Sequence, residues 1–545
     1  MRTVDLRLAP SAAGCWAAAA LALVAPTSLG WSAAGGFGAA ALVLGGIGRR
    51  SGGPSRLRLI SAAAACAITA AAALSVVLRI IAVEQAPIAA VDGKPVVDVE
   101  VAGDPTFLPH GRMRLPVTAL AVNGHRQRPV AATLAATAGP VDPLPGERYR
   151  VRARVRPPRA GADGRLQAAQ LTAVGDPIRT RGAPWWQRAA GLVRERLREI
   201  AMKALPERPA GLLPGLILGD VSGLDQRTSD TFRAAGLTHL VAVSGSNFSL
   251  ICGTVVLGIR MTGASPRTIA VGGALAIVGF VILVRPTDSV LRAAVMGSVG
   301  LAAGLGSRRA QALPALGTAV IVVVLLWPQM ALAPGFALSV AATLGLVLWS
   351  VPIRRALIRR RVPEPLAILL SMTLAAQILT TPLLILITDV VNVTSVPANL
   401  LAVPVVGMVG LLGTAAAIIG AAGPRHGPGG VAAEFLVRAC SPPTRWLIAV
   451  ADRLGGAGWV TPAVPGWTGP VVTVAAGAAL FAWHRRRDRR GSDVGGIWHH
   501  VRCERSAVST PRRRRLSDRT RHLPGRGRTQ RRRRDRRTGH PDPRR

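Results

Sequence analysis

Apolar runs of about 17–25 residues recur along this chain, each long enough to cross a hydrocarbon layer of about 30 Å. Residues 14–48 are apolar over 35 positions, about 53 Å as one helix, which predicts two short helices turning near 26–30. A third span is expected over 59–83, and a signal peptide with Arg2 and Arg7 ahead of its apolar core competes for the start of the chain. Further runs at 236–259, 268–284, 289–305, 311–328, 333–351, 365–388 and 395–422 predict closely spaced spans, with weaker segments at 431–453 and 470–483. Between 84 and 182 the long runs stop and the period drops to two, in VVDVEV (96–101), MRLPVTALAV (113–122) and RYRVRARVR (148–156). Strict alternation predicts half-buried strands, and several of them within about 100 residues predict a small β-barrel.

Two helical and strand faces carry charge. Residues 185–205 place Trp186, Ala190, Val193, Leu197, Ile200 and Ala204 on one stripe with charges opposite, an amphipathic helix expected at the membrane interface. In the third strand Arg150, Arg152, Arg154 and Arg156 share one face, while Tyr149, Val151, Ala153 and Val155 share the other. A basic strand face is able to follow a nucleic-acid backbone; a solvated edge strand explains the same pattern, and only Phe107 and Tyr149 are at hand to stack bases.

Composition narrows the class. Of the 545 residues half are hydrophobic and 17% charged, with a mean hydropathy of +0.36, as in a membrane protein of many spans. The loop holding Arg49, Arg50, Arg56 and Arg58 belongs in the cytoplasm, which places 84–182 outside. Onward from there, the loops with Arg260 and Arg267, with Arg308 and Arg309, with the arginines of 354–361 and with Arg425 are all cytoplasmic by alternation. The loops between them hold only Arg285, Asp288 and Asp389. Lysine is confined to Lys94 and Lys203, neither after a GxxxxG loop, so no Walker A motif supplies energy. Cys15, Cys66, Cys252, Cys440 and Cys503 form no CxxC pair and read as small hydrophobes, and no metal or cofactor site is expected.

The polar residues that interrupt apolar runs are the candidates for function, because a polar group at bilayer depth is costly without a partner. His239, Ser244, Ser246 and Asn247 cluster in GLTHLVAVSGSNFSL (236–250). The string around Ser244 is not a GxSxG elbow. Its polar groups either line a pore or satisfy the freed backbone of a broken helix. Asp288 and Arg292 stand at i and i+4, either as a self-neutralising pair or with the arginine snorkelling to the interface. Ala293, Gly297, Gly300 and Gly304 give that run a small-residue face for close helix packing. Pro382, Pro397 and Pro404 interrupt later helices, and Gln377 and Asn399 supply amides beside them.

Five strings in order over 215–406 resemble one known family. GLILGD (215–220, with Gly219 and Asp220) and the 236–250 string (with His239, Ser244, Gly245 and Asn247) resemble the LGD…GLxHLLAVSGxxV signature of ComEC-type DNA-internalisation channels. SVLRAAVM resembles that family's SxxRAxxM element at Ser289, Arg292, Ala293 and Met296. PGFALSVAATLGL (334–346, with Ser339), AAQILTTPLLI (375–385, with Gln377 and Pro382) and PANLLAVPVV (397–406, with Asn399 and Pro404) resemble three further elements. The resemblance implies an inner-membrane channel component for uptake of single-stranded DNA in natural transformation, not an enzyme, with an OB-like domain where the alternating strands lie. It also implies an external DNA-delivery protein, a cytoplasmic ATPase or helicase and membrane lipids as partners. A small-molecule or lipid-linked-substrate transporter, or a non-functional truncated copy, are the alternatives.

One departure stands out. Many members of that family continue into a metallo-β-lactamase-like domain with an HxHxDH motif, whereas His484, His499, His500, His522 and His540 form none here. Residues 484–545 instead hold 23 arginines and six acids, a net charge of +17. An out-of-frame translation of a GC-rich gene explains that composition; a disordered basic anchor or an RNA-binding tail competes with it. The expected fold is therefore an all-α polytopic membrane bundle of about 10–12 spans with an inserted extracytoplasmic OB-like β-barrel. The expected segments are membrane spans in 1–83, the β domain in 84–182, an interfacial helix in 183–210, the channel domain in 211–484 and a tail in 485–545.

Overall fold

The computed structural model describes residues 7–455, apart from 109–110, 138–142, 159–160, 162–163, 242–244, 306–310, 390–393 and 425, together with 468 and 471. The span expected over 470–483 and the arginine-rich tail lie outside the described residues. Helices α1 (Ala9–Val24) and α2 (Thr27–Arg50) are separated where Ala25 turns extended ahead of Pro26, whose ring disfavours helix at the residue before it. Helix α3 (Gly53–Glu84) has 32 residues, about 48 Å, so it outruns the hydrocarbon layer, and its last turn enters the next unit, where Val83 packs on the β core.

That unit is a barrel. Its strands are β1 (Val96–Val101), β2 (Thr106–Leu108), β3 (Arg112–Val122), β4 (His125–Thr137), β5 (Arg148–Arg156), β6 (Ala169–Ala173) and β7 (Ile178–Arg181). Five of them close a ring in the order β1–β3–β4–β6–β5 and back to β1; β4 and β6 run parallel and the rest antiparallel, an OB-like connectivity. Strand β2 pairs only with β3, and β7 only with β5. Alternate residues fill the interior, among them Val97, Val99, Leu115, Val117, Leu134, Val151 and Leu171. The three strands read from alternation form where expected. Strand β4, which the alternation does not predict, follows Asn123 and Gly124, both at positive φ, as a tight hairpin requires.

The chain then forms α4 (Trp185–Ala204), α5 (Glu207–Leu218), α6 (Gln226–Ala234), α7 (Thr238–Val241) and α8 (Gly245–Met261). After these come α9 (Pro266–Val284), α10 (Asp288–Leu305), α11 (Ala312–Leu326), α12 (Pro334–Arg359), α13 (Glu364–Thr388), α14 (Ser395–Ala422), α15 (Pro428–Ala439) and α16 (Ser441–Gly455). Among the described residues six helices are long and apolar enough to cross a membrane, α2, α3, α9, α12, α13 and α14. Helices α1 and α11 and the stretch Asn247–Met261 of α8 are apolar but shorter. The protein is a multi-pass membrane protein, with fewer full-length spans among the described residues than the 10–12 expected.

Three expectations are corrected. The run 236–259 is not one helix: Gly236 takes a positive φ, α7 is a single turn, and the long helix starts only at Gly245. The segment 431–453 lies in two helices, α15 and α16. The charges of α4 do not all lie opposite its apolar stripe, because Arg194 is buried with Ala190, Leu197 and Ala201 while Trp186 stays 43% exposed.

Two apolar clusters hold the bundle. One joins α4, α5, α8, α9, α10, α14 and α16 around Leu197, Leu213, Ile217, Phe248, Val409 and Leu447. The other joins α1, α3, α11 and α12 around Leu23, Val76, Ile80, Val323 and Phe336. Small residues allow the closest approaches: a Cβ at Gly345 of α12 would meet the Ala375 carbonyl of α13. Polar contacts gather several helix ends on the barrel's side. Arg165 of the barrel donates to the carbonyls of Ala22, Leu23 and Ala25, Arg79 donates to Leu326 O at 3.0 Å, and Asp104 pairs with Arg285 at 2.9 Å. Residues 25, 285 and 326 thus share one end of the bundle, the arrangement that the arginine alternation requires. Arg354 and Glu364 pair across the turn from α12 to α13.

Candidate functional site

The interrupting polar residues come together in three groups. The first forms at the end of α5, where Gly219 adopts the left-handed conformation (φ 70°) that closes the helix and turns the chain back. The turn buries Asp220, 4% exposed, whose carboxylate accepts from Arg198 Nη2 (2.7 Å), Ser222 Oγ (2.7 Å) and Ser222 N (3.2 Å). Burial alone would raise its pKa, but Arg194, Ser222 and Arg198 outweigh that and hold it below the usual carboxylate value. Arg194, also buried, donates to Leu218 O (3.2 Å), to Leu283 O (3.4 Å) and to Asp104 (3.2 Å). Asp104 of the barrel therefore bridges Arg194 of α4 and Arg285 at the end of α9. Burial lowers the pKa of Arg285 although Asp104 opposes that.

The second group lies between α8, α10 and α12. Arg292, one turn into α10 and 8% exposed, donates through Nε to Ser339 Oγ at 2.8 Å, and its Nη1 lies 3.4 Å from Met296 Sδ. Its Nη2 comes within 3.0 Å of where a Cβ on Gly245 would stand, so any larger side chain there would displace the guanidinium. Ser289 Oγ reaches Ser339 Oγ at 3.3 Å. Asp288 does not pair with Arg292: its carboxylate accepts the Phe336 backbone N–H and lies 2.5 Å from where a Cβ on Gly335 would stand. The self-neutralising pair and the snorkelling arginine are both replaced by a buried guanidinium held by the Ser339 hydroxyl and the Met296 sulfur. Helix geometry explains it, because α12 starts against the first turn of α10 and takes Asp288 as its N-terminal acceptor.

The third group is a chain of amides and hydroxyls. His239 is hydrogen-bonded to the Gly236 backbone and to the side chain of Asn399. Asn399 Nδ2 donates to Ser395 O (2.8 Å), Gln377 Nε2 donates to Ser395 Oγ (3.1 Å), and Thr381 Oγ1 donates to Gln377 Oε1 (2.8 Å). This ladder ties α7 to α13 and α14. His239 stays exposed while making these contacts.

Asn247 is 2% exposed and donates to Leu216 O at 3.0 Å; its amide oxygen stands 3.4 Å from where a Cβ on Gly410 would be. It clamps α8 to α5 and α14. Pro382 is buried inside α13, and Pro404 lies inside α14, just after Leu401, whose carbonyl accepts the Trp446 indole N–H at 3.0 Å. Ser244 lies outside the described residues. The family-like strings of 215–406, remote from one another in sequence, thus meet, with the 236–250 segment touching α5, α10 and α14.

On the barrel, the four arginines expected on one face of β5 do share it, together with Arg148, but the five are not equivalent. Arg150 forms a two-point pair with Asp98 (2.8 and 3.3 Å), and Arg148 pairs with Glu100 at 2.8 Å. Arg152, Arg154 and Arg156 are exposed with no acidic partner among the described residues. Tyr149 is tied to buried Glu147 at 2.6 Å, and burial together with that carboxylate raises its pKa; Phe107, 45% exposed, is the aromatic left free. Sequence reasoning missed Asp104, Arg194, Arg198 and Ser395. The signal for Arg194 and Arg198 was an i, i+4 pair crossing an apolar stripe; for Asp104 no signal exists in the chain.

The competence protein family model matches residues 216–487. ComE operon protein 3 of Bacillus subtilis (strain 168) is 29% identical over 213 residues, 39% of this chain and 26% of that protein. The matched part of the chain thus spans about a quarter of the length of this curated relative. No solved structure matches.

Proposed function

This chain belongs to the competence protein family and is a multi-pass inner-membrane protein, and from that premise we propose that it is the channel component through which single-stranded DNA enters the cell in natural transformation. The observation that carries the reading is the convergence of the interrupting polar residues inside the bundle. His239, Asn399, Ser395, Gln377 and Thr381 form a hydrogen-bonded ladder that joins α7, α13 and α14. Irregular backbone and polar side chains inside a membrane bundle are stable where they line a cavity. The three arginines of β5 that lack acidic partners among the described residues form a basic strip on the external barrel that suits the backbone of an incoming strand.

In this reading the segment 84–182 is the external receiving domain and 211–484 holds the conducting path. An external DNA-delivery protein feeds the barrel, a cytoplasmic ATPase or helicase draws the strand in, and lipids surround the bundle. His239→Ala and Gln377→Ala each break the ladder, so each should lower transformation about tenfold while the protein still inserts. The check is transformant frequency alongside the amount of inserted protein. Normal transformation in both variants would remove the channel reading.

A further inference from the structure

We propose that Arg292, Ser339 and Ser289 form a binding site for one phosphodiester group of a nucleic-acid strand, inside the bundle one helical turn from its barrel side. The inference rests on the channel reading for its choice of strand, but the site itself rests on geometry. Arg292 is 8% exposed, and its charge meets no carboxylate among the described residues: Asp288, the nearest acid in sequence, is turned to the backbone of α12. A guanidinium removed from water without a counter-charge is strongly unfavourable, and hydroxyl and thioether contacts do not neutralise it. Nε and Nη1 are taken by Ser339 Oγ and Met296 Sδ, while Nη2 stands over Gly245. Because residue 245 is glycine, no side chain from that position fills the space beside that nitrogen. The hydroxyls of Ser289 and Ser339, 3.3 Å apart, supply a donor beside it.

Such a set suits a tetrahedral monoanion with two exposed oxygens, since the remaining guanidinium nitrogen and a hydroxyl each donate to one oxygen while the cation balances the charge. The position favours a strand over a lipid headgroup, because Arg292 is enclosed by α8, α10 and α12 and has little surface of its own. Arg285, at the barrel-side turn before α10, is held by Asp104 and so does not compete for the anion.

The test uses the full chain in phosphatidylcholine nanodiscs, with dimethyl phosphate as the charged probe and trimethyl phosphate as the neutral one. Dimethyl phosphate should raise the apparent Tm by about 2–4 °C, and trimethyl phosphate should not. Arg292→Gln should abolish the rise and Arg260→Gln, at an exposed helix end outside either proposed contact, should keep it. An equal rise in Arg292→Gln, or none in the unaltered chain, would overturn the proposal. So would a full rise from phosphatidylglycerol alone, with none added by dimethyl phosphate, because the site would then belong to a headgroup. Where Arg292→Gln does not insert, Arg292→Lys keeps the charge without the fork and should lose at least half the rise; an undiminished rise overturns the site. A probe-binding site at Arg292 combined with normal transformation in His239→Ala and Gln377→Ala would sustain this inference while removing the channel reading.

Discussion

The barrel and the helical bundle treat arginine in opposite ways. On the barrel Arg148, Arg150, Arg152, Arg154 and Arg156 point outward from one strand, and those with acidic partners find them on the neighbouring strand in water-accessible pairs. In the bundle Arg194, Arg285 and Arg292 are at least nine-tenths buried, and each of them joins elements that are distant in sequence. Exposed ion pairs contribute little because water and salt screen them. Buried ones decide geometry, because an uncompensated charge has no solvent to turn to. The lesson is that the net charge of +40 says little about where positive charge acts. The five strand arginines set a surface potential, while three buried ones set the shape of the site.

The strongest test of this contrast is steric. Gly345→Val would drive a side chain into the Ala375 carbonyl, between backbones that have no room to part. It should lower the yield of folded, inserted protein more than the loss of any single charge, by about 3 kcal/mol or more of stability, read as yield after membrane extraction.

Next comes the buried acid. Asp220→Asn should cost about 2–3 kcal/mol, less than a fully enclosed pair because Arg198 is one-third exposed. The carboxyl's native pKa lies below its unfolded value near 3.9, so its contribution is complete above about pH 4 and fades as the pH falls through the native value. Unfolding of the variant should therefore lose less stability than the parent between about pH 4 and 2. Parallel acid curves would show that Asp220 is not paired with Arg198.

The smallest effects belong to the barrel. Replacing Arg152, Arg154 and Arg156 by Ser should leave Tm unchanged but weaken single-strand binding. The slope of log K against log salt should become shallower by about 2, the value for three lost phosphate contacts. Arg150→Ala should alter that slope least, because Asp98 already holds its guanidinium. An Arg150 variant with the larger loss would mean that the pair opens when a strand binds.

The fold was largely visible in the chain because its periods are physical. An apolar run of about 20 residues has few fates besides a membrane helix, and the alternation of 96–101 and 148–156 appears unaltered as β1 and β5. Strand β4 was missed although Asn123–Gly124 is a strong hairpin signal, because its first half, HRQRP, breaks the alternation. The break at Gly236 was hidden because GLTHLVAV reads as continuous helix to any window that averages hydropathy. The candidate residues were visible as polar interruptions of apolar runs, but their partners were not. Asp288 looked paired to Arg292 at i+4, and only the arrival of α12 turned it away.

By itself the chain determined that long apolar helices form and where a small barrel interrupts them, since burial period is a local quantity. Tertiary structure alone decided that His239 meets Asn399, that Asp104 joins α4 to α9, and that Arg292 meets the Ser339 hydroxyl in place of a carboxylate. Those pairings span about 50 to 180 residues of sequence. They depend on how helices cross, which is set by the summed fit of many small side chains and leaves no periodic trace in the sequence.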